Sequence, residues 1–172
     1  AIAAQDYSRP LFECERVVAD LPHVLFHATD LGLPNEALAL RGAVGVVEEI
    51  LGADHPDALA SRNGLAGAYE SAGRLGEAIP LYEQVLADRV RILGDDHPQT
   101  LTSRNNLAYA YRAAGCLGEA IPLYEQVLAD RVRILGDDHP QTLTSRNNLA
   151  AAYESVGRLG EAIPLLEEVL AN

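Results

Sequence analysis

Lysine, methionine and tryptophan are absent from this 172-residue sequence, and only two cysteines occur. Without lysine, neither a Walker A phosphate loop nor Schiff-base chemistry can be assembled from these residues. No G-x-S-x-G, CxxC, HExxH or glycine-rich phosphate motif occurs either, so a non-enzyme without a cofactor is expected. Cys14 and Cys116 have no motif spacing and read as free thiols of a cytoplasmic protein. No apolar run approaches the ~18 residues of a membrane span, and no charged-then-apolar leader is visible. Basic charge is also scarce: 13 arginines face 25 acidic residues, for a net charge of −12. An acidic surface repels phosphate backbones, which argues against nucleic acid as a partner. The lysine-free, Ala/Arg/Leu/Gly-rich usage points to a GC-rich genome.

What is present is repetition. Residues 93–134 recur 42 residues earlier, from Leu51, with 33 of 42 positions identical, and 42 residues later, from Leu135, with 30 of 38 identical. A period of this size marks a protein built by stacking one supersecondary unit on the next. The predicted organisation is an N-terminal helix in 1–21, a degenerate unit in 22–50, then units at 51–92, 93–134 and 135–172. The last stops partway, and with Ala1 in place of a start methionine the chain reads as a piece of a longer protein.

Each unit reads as two helices, and nothing alternates with the period of a strand. In the middle copy Asp96 precedes His97-Pro98, and Asp96 with Gln99 predicts a capping box. The first helix then runs to Ala114 and stops at Gly115. A second helix follows to Gly136, with Pro122 expected in its first turn or so. At 100° per residue, Leu59, Leu65, Ala66, Tyr69, Ala72 and Gly73 form one arc of a first helix. Ala78, Ile79, Tyr82, Val85, Leu86 and Ile92 do so on a second. One pair cannot cover such faces alone, so neighbouring pairs must share a core. Further upstream, helices are expected over 8–20, over 23–30 and from Asn35 to Leu51.

Leu107-Ala108, Tyr111, Ala120 and Tyr124 resemble the tetratricopeptide repeat at the spacings of that family's pattern. Arg104 replaces the usual tryptophan, and the unit has 42 residues in place of 34. The longer unit is similar to the repeats of kinesin light chains and of bacterial multidomain regulators, including NTPase-linked ones. The resemblance implies an all-α, right-handed superhelical solenoid of antiparallel helix pairs. It also implies an inner surface, lined by the first helix of each unit, that binds a protein or peptide in a regulatory or scaffolding role.

The copies can be compared with one another. From Leu75 to Ile92 and from Leu117 to Ile134 the second helices are identical. The first helices differ at Ala60/Thr102, Gly64/Asn106, Gly67/Tyr109, Glu70/Arg112, Ser71/Ala113 and Arg74/Cys116. These positions lie on one arc of about 120° opposite the predicted core. The third copy adds Ala151, Glu154 and Ser155 on the same arc, where Thr144 repeats Thr102. Asn63, Asn105 and Asn147 share it without varying, and a carboxamide both donates and accepts hydrogen bonds. The candidate groove residues are therefore Asn63, Gly67, Glu70, Thr102, Asn105, Tyr109, Arg112, Thr144, Asn147, Ala151 and Glu154. The second helix keeps its exposed Glu83, Gln84, Asp88 and Arg91 unchanged, so drift alone does not explain the arc. Two other readings stand beside this one. The uncovered end face after the last helix could dimerise, or the array could be the sensor arm of a transcriptional or NTPase regulator.

Other recurring residues read as structural. His55, His97 and His139 lie one unit apart, about 8–10 Å or more, too far to share a metal ion. Helix-start hydrogen bonding suits them better. His23 and His27 lack a third ligand nearby. Arg62, Arg104 and Arg146 are expected to pack their stems between helices and reach a carboxylate on a neighbouring one. Glu48-Glu49 and Glu167-Glu168 read as ordinary solvated faces.

Overall fold

The computed structural model describes residues 41–171. The helices expected over 8–20 and 23–30, Cys14, and the His23/His27 pair lie outside them. Among the described residues there are seven α-helices and no strand. They are α1 (Arg41–Leu51), α2 (Pro56–Ser71), α3 (Leu75–Leu93), α4 (Pro98–Ala113), α5 (Leu117–Leu135), α6 (Pro140–Ser155) and α7 (Leu159–Leu170). The chain divides into two compact units between Arg74 and Leu75.

In the first unit α1 packs on α2. Val47 and Ala58 are fully buried there, with Leu51 against them. Arg62 donates from Nε to Glu48 Oε1 at 2.8 Å, tying the two helices. Glu48 is thus an internal ion-pair partner and not part of a solvated acidic face.

In the second unit each helix from α3 to α7 packs on the next. The core around α5 and α6 joins Ala108, Ala120, Ile121, Tyr124, Leu149, Ala150, Tyr153 and Ala162, with Tyr111 and Leu123 packed against its edge. Alanines at four of these positions let helix axes approach closely, while Tyr124, 1% exposed, fills the space between them. Most of the predicted packing arc is buried: Leu59, Leu65, Ala66, Tyr69, Ala78, Tyr82 and Val85. Ala72, Ile79 and Leu86 are half-buried, and two members are exposed. Ile92 is 39% exposed. Gly73 has φ +72 and serves the turn after α2, where a side chain would be strained, and not a close helix contact.

The helix starts differ from expectation by one residue. His97, not Asp96, is the N-cap of α4: its Nδ1 accepts from the Gln99 N–H at 3.2 Å, and His55 and His139 do the same for α2 and α6. Each proline follows directly, so it occupies the first helical position and the residue before it must be the cap. Asp96 instead takes both Nη atoms of Arg133, at 3.1 and 2.5 Å, so no capping box with Gln99 forms. Pro122 is the sixth residue of α5, in its second turn and not its first. The carbonyl its ring crowds, four residues back, belongs to exposed Gly118, where water can reach it.

Arg104 and Arg146 are 4% and 5% exposed, yet both are paired. Arg104 reaches Asp95 at 2.7 Å and Asp130 at 3.2 Å. Arg146 reaches Asp137 at 2.5 Å and Glu168 at 2.7 Å. The last pairing shows compensation within the repeat. Asn172 stands where the preceding copy has Asp130, and Glu168 stands where it has Gln126. A carboxylate placed one turn earlier keeps the buried guanidinium neutralised. Glu168 is therefore also not a member of a plain solvated pair.

Two further arginines, Arg89 and Arg131, are 6% exposed and meet no carboxylate. Arg131 Nη1 donates to Ser145 Oγ at 2.8 Å and to the Gln141 carbonyl at 3.0 Å. Arg89 makes the same bonds to Ser103 Oγ and the Gln99 carbonyl, at 2.7 and 3.2 Å. Each joins the second helix of one copy to the first helix of the next. Burial pushes both guanidinium pKa values below their ordinary value.

Candidate functional site: the open strip of the first helices

Within the second unit, α4 and α6 are each wedged between two second helices, so each is covered on both flanks. On α4, Thr100, Leu101, Ser103, Arg104, Leu107, Ala108 and Ala110 are buried. What remains open is the strip Thr102, Asn105, Asn106, Tyr109, Arg112 and Ala113. All eleven candidate residues are exposed or half-buried. Asn63, Gly67 and Glu70 are half-buried on α2, and Thr144, Asn147, Ala151 and Glu154 lie on the open strip of α6. Most first-helix positions that vary between copies are thus positions the stack leaves uncovered; Ala58/Thr100 varies as well and is buried in both copies.

The chemistry along the strip is partly committed. Thr102 and Thr144 donate their hydroxyls to the Pro98 and Pro140 carbonyls at 2.9 Å. Asn105 is not a free rung of a like-with-like ladder: its Oδ1 accepts from Asn148 Nδ2 at 3.0 Å. That bond turns the Asn105 carbonyl toward α6 and leaves its amide N–H groups as donors on the open side. Asn147 is exposed. Tyr109 is 42% exposed, and the Arg112 guanidinium lies 5.2 Å from its ring centroid. Arg112 Nε is buried without a hydrogen-bond partner. Among the described arginines of residues 75–172, Arg112 is the one with neither a carboxylate nor a hydrogen-bond acceptor.

The unchanged face of the second helix has structural employment that the sequence does not reveal. Tyr111 donates its hydroxyl to Glu83, and Tyr153 donates to Glu125 at 2.7 Å. Arg91 pairs with Asp88 at 3.0 Å. The constancy of that face therefore has a cause of its own. Both phenols are pushed up to about 12, Tyr111 first by its hydrogen bond to Glu83, Tyr153 first by burial and then by Glu125. A phenol whose pKa is raised on folding contributes stability that is full below its ordinary value near ~10 and lost as pH rises through ~12. In a 13C-tyrosine NMR titration, Tyr111 and Tyr153 are expected to ionise near 12. Their substitution by phenylalanine should flatten the fall in stability over that interval.

Arg133 holds the Asp96 carboxyl below its ordinary value. Among the described residues no cluster of three or more His, Cys, Asp or Glu side chains could hold a metal ion. No helix among them is long and apolar enough to cross a membrane.

The tetratricopeptide-repeat family model matches residues 27–89, 66–130 and 104–172. The chain belongs to the tetratricopeptide-repeat family. It is an all-α, tetratricopeptide-like solenoid of the kinesin-light-chain-like kind. It is 38% identical, with a TM-score of 0.80, to the nearly identical TPR-like repeats of a protein described as a Podosopora anserina kinesin light chain, covering 88% of this chain and 72% of that one. BtubC (BKLC) from P. vanneervenii is 20% identical with a TM-score of 0.64, over 97% of this chain and 73% of that one. The MamA protein is 19% identical with a TM-score of 0.63, over 96% of this chain and 78% of that one. These two share the fold alone. No curated protein sequence shows significant similarity to the chain. Repeats of this family are in general protein–protein interaction modules.

Proposed function

We propose that the open strip of the first helices binds an extended acidic segment of a partner protein, in a scaffolding or regulatory role without catalysis. The observation that carries this is Arg112, a cation stacked on exposed Tyr109 with no anion of its own in a chain of net charge −12. Every other described arginine of the second unit has an acceptor. A carboxylate from outside would complete Arg112, and the tyrosine ring offers apolar contact beside it. The Asn105 amide lies seven residues earlier, about 10 Å along the helix, a span of roughly three extended residues. It would donate to the backbone of the same segment.

The test is peptide display selected on the purified chain. Aspartate- and glutamate-containing peptides are expected to dominate. Arg112→Gln should weaken their binding about tenfold, in line with loss of one charge-assisted pair. Asn105→Ala with Asn147→Ala should weaken it further while the melting temperature stays nearly unchanged. Selected peptides indifferent to all three changes would place binding elsewhere.

A second reading rests on a different observation. On α7, Leu159, Ile163 and Leu170 are 54%, 52% and 86% exposed, whereas Ile121, the α5 counterpart of Ile163, is 8% exposed beneath α6. This apolar face supports self-association. Sedimentation of the wild type against Ile163→Glu over a range of concentrations separates the two readings.

A further inference from the structure

The turn between the two helices of a unit carries an aromatic–cation contact in the first and third clear copies. Arg74 lies 4.8 Å from the Tyr69 ring centroid, and Arg158 lies 4.3 Å from that of Tyr153. Arg158 also grips Glu161, donating from Nε at 2.6 Å and from Nη2 to the other oxygen. In the middle copy the arginine is replaced by Cys116.

The rest of the arrangement is unchanged. Cys116 has φ −82 and ψ 66 at the start of α5, and Arg158 has φ −83 and ψ 56 at the start of α7. Their backbone N–H groups bond the Tyr111 and Tyr153 carbonyls at 2.8 and 2.9 Å. Glu119 stands three residues after Cys116, as Glu161 does after Arg158, and it is exposed with no partner among the described residues. The thiol is too short to cover the ring: Sγ reaches only the Ala114 carbonyl, at 4.0 Å. The rings differ accordingly. Tyr69 and Tyr153 are buried, at 4% and 7% exposure, while Tyr111 is half-buried.

We propose that Tyr111 and Glu119 form a receptor for an arginine side chain supplied by a partner polypeptide. The chain itself demonstrates the fit, because the same ring and carboxylate hold the protein's own guanidinium one copy later. The ring face attracts the cation, and the carboxylate takes two parallel N–H bonds from the planar fork. Lysine cannot reproduce the second geometry. The net charge of −12 draws cationic segments toward the surface. This site lies at the helix turn and does not depend on the acidic-segment reading of the open strip.

The experiment uses the full chain with 13C-labelled tyrosine rings, titrated with N-acetylarginine amide and separately with N-acetyllysine amide. The Tyr111 resonances are expected to shift saturably with arginine at millimolar concentrations, while those of Tyr69 and Tyr153 stay in place. Lysine should bind several-fold more weakly. Cys116→Arg, the residue both neighbouring copies carry, should abolish the response and raise the melting temperature. Cys116→Ser should retain the response, which separates it from thiol chemistry. Glu119→Gln should weaken it about two- to fivefold, the scale of one exposed ion pair. The proposal is overturned by a silent Tyr111, by equal shifts at all three tyrosines, by equal affinity for lysine, or by a response that survives Cys116→Arg in a folded protein.

Discussion

Replacing Leu107 with alanine is expected to destabilise the protein by ~2–5 kcal/mol, the cost of losing buried methyl groups and leaving a cavity. Leu107 is 5% exposed, on the flank of α4 that faces the neighbouring second helices. Its neighbours in sequence are the control. Asn105 and Tyr109 lie two residues away on either side but on the open strip, and alanine at either should change stability by less than about 1 kcal/mol. Asn105→Ala removes one hydrogen bond to Asn148, which is half-buried and can turn to water. Urea denaturation followed by circular dichroism measures all three. Equal loss at Leu107 and Asn105 would dissolve the division of α4 into a packing face and an open face, and the candidate site with it.

The second large effect concerns Arg131. Its truncation to alanine is expected to cost ~2–4 kcal/mol, because the aliphatic stem that fills the space between α5 and α6 disappears with the charge. Arg131→Met should behave differently. Methionine keeps most of the packing volume and removes a cation that no carboxylate neutralises. Replacing a buried charge with an apolar side chain of similar size is often neutral or stabilising by ~1–4 kcal/mol. Ser145 loses little, since its hydroxyl still donates to the Gln141 carbonyl at 3.1 Å. The expected order of stability is therefore methionine at or above wild type and alanine well below both. If methionine is as damaging as alanine, the guanidinium bonds to Ser145 and Gln141 hold the joint, and packing is secondary. The joint between α1 and α2 is a natural reference. It has Val47, fully buried, at the position equivalent to Arg131, and there the matching Ser61 hydroxyl has no hydrogen-bond partner.

The helical pairs, their boundaries and most of the core were legible because periodicity and the Asp-His-Pro and Gly punctuation repeat three times over. The open strip was legible for a different reason: three copies of one unit make an internal comparison, and most of the first-helix variation falls on uncovered positions, although buried Ala58/Thr100 and Tyr124 with its counterpart Leu166 vary too. What was hidden depends on partners distant in sequence. Arg89 and Arg131 look like surface residues of an amphipathic helix until a serine fourteen residues on is brought beneath them. Glu83 looks idle until Tyr111, 28 residues later, donates to it. The N-cap was misplaced by one because aspartate is the commoner capping residue, yet the proline fixes the helix start and leaves the role to histidine. Asn105 was read as a lone carboxamide because nothing local signals a bond to Asn148.

Helices α3 and α5 are identical in sequence and present the same arginine to the same serine of the following helix. Their mating surfaces are therefore interchangeable parts. Recombination between copies that removes or adds a whole 42-residue period joins surfaces that already match. A loss of any other length sets Arg131 against the wrong neighbour and strands it in the interior. The gene can lengthen or shorten its array in whole periods without inventing a new interior, and the lone cysteine turn shows that one copy can be altered while its neighbours keep the original form.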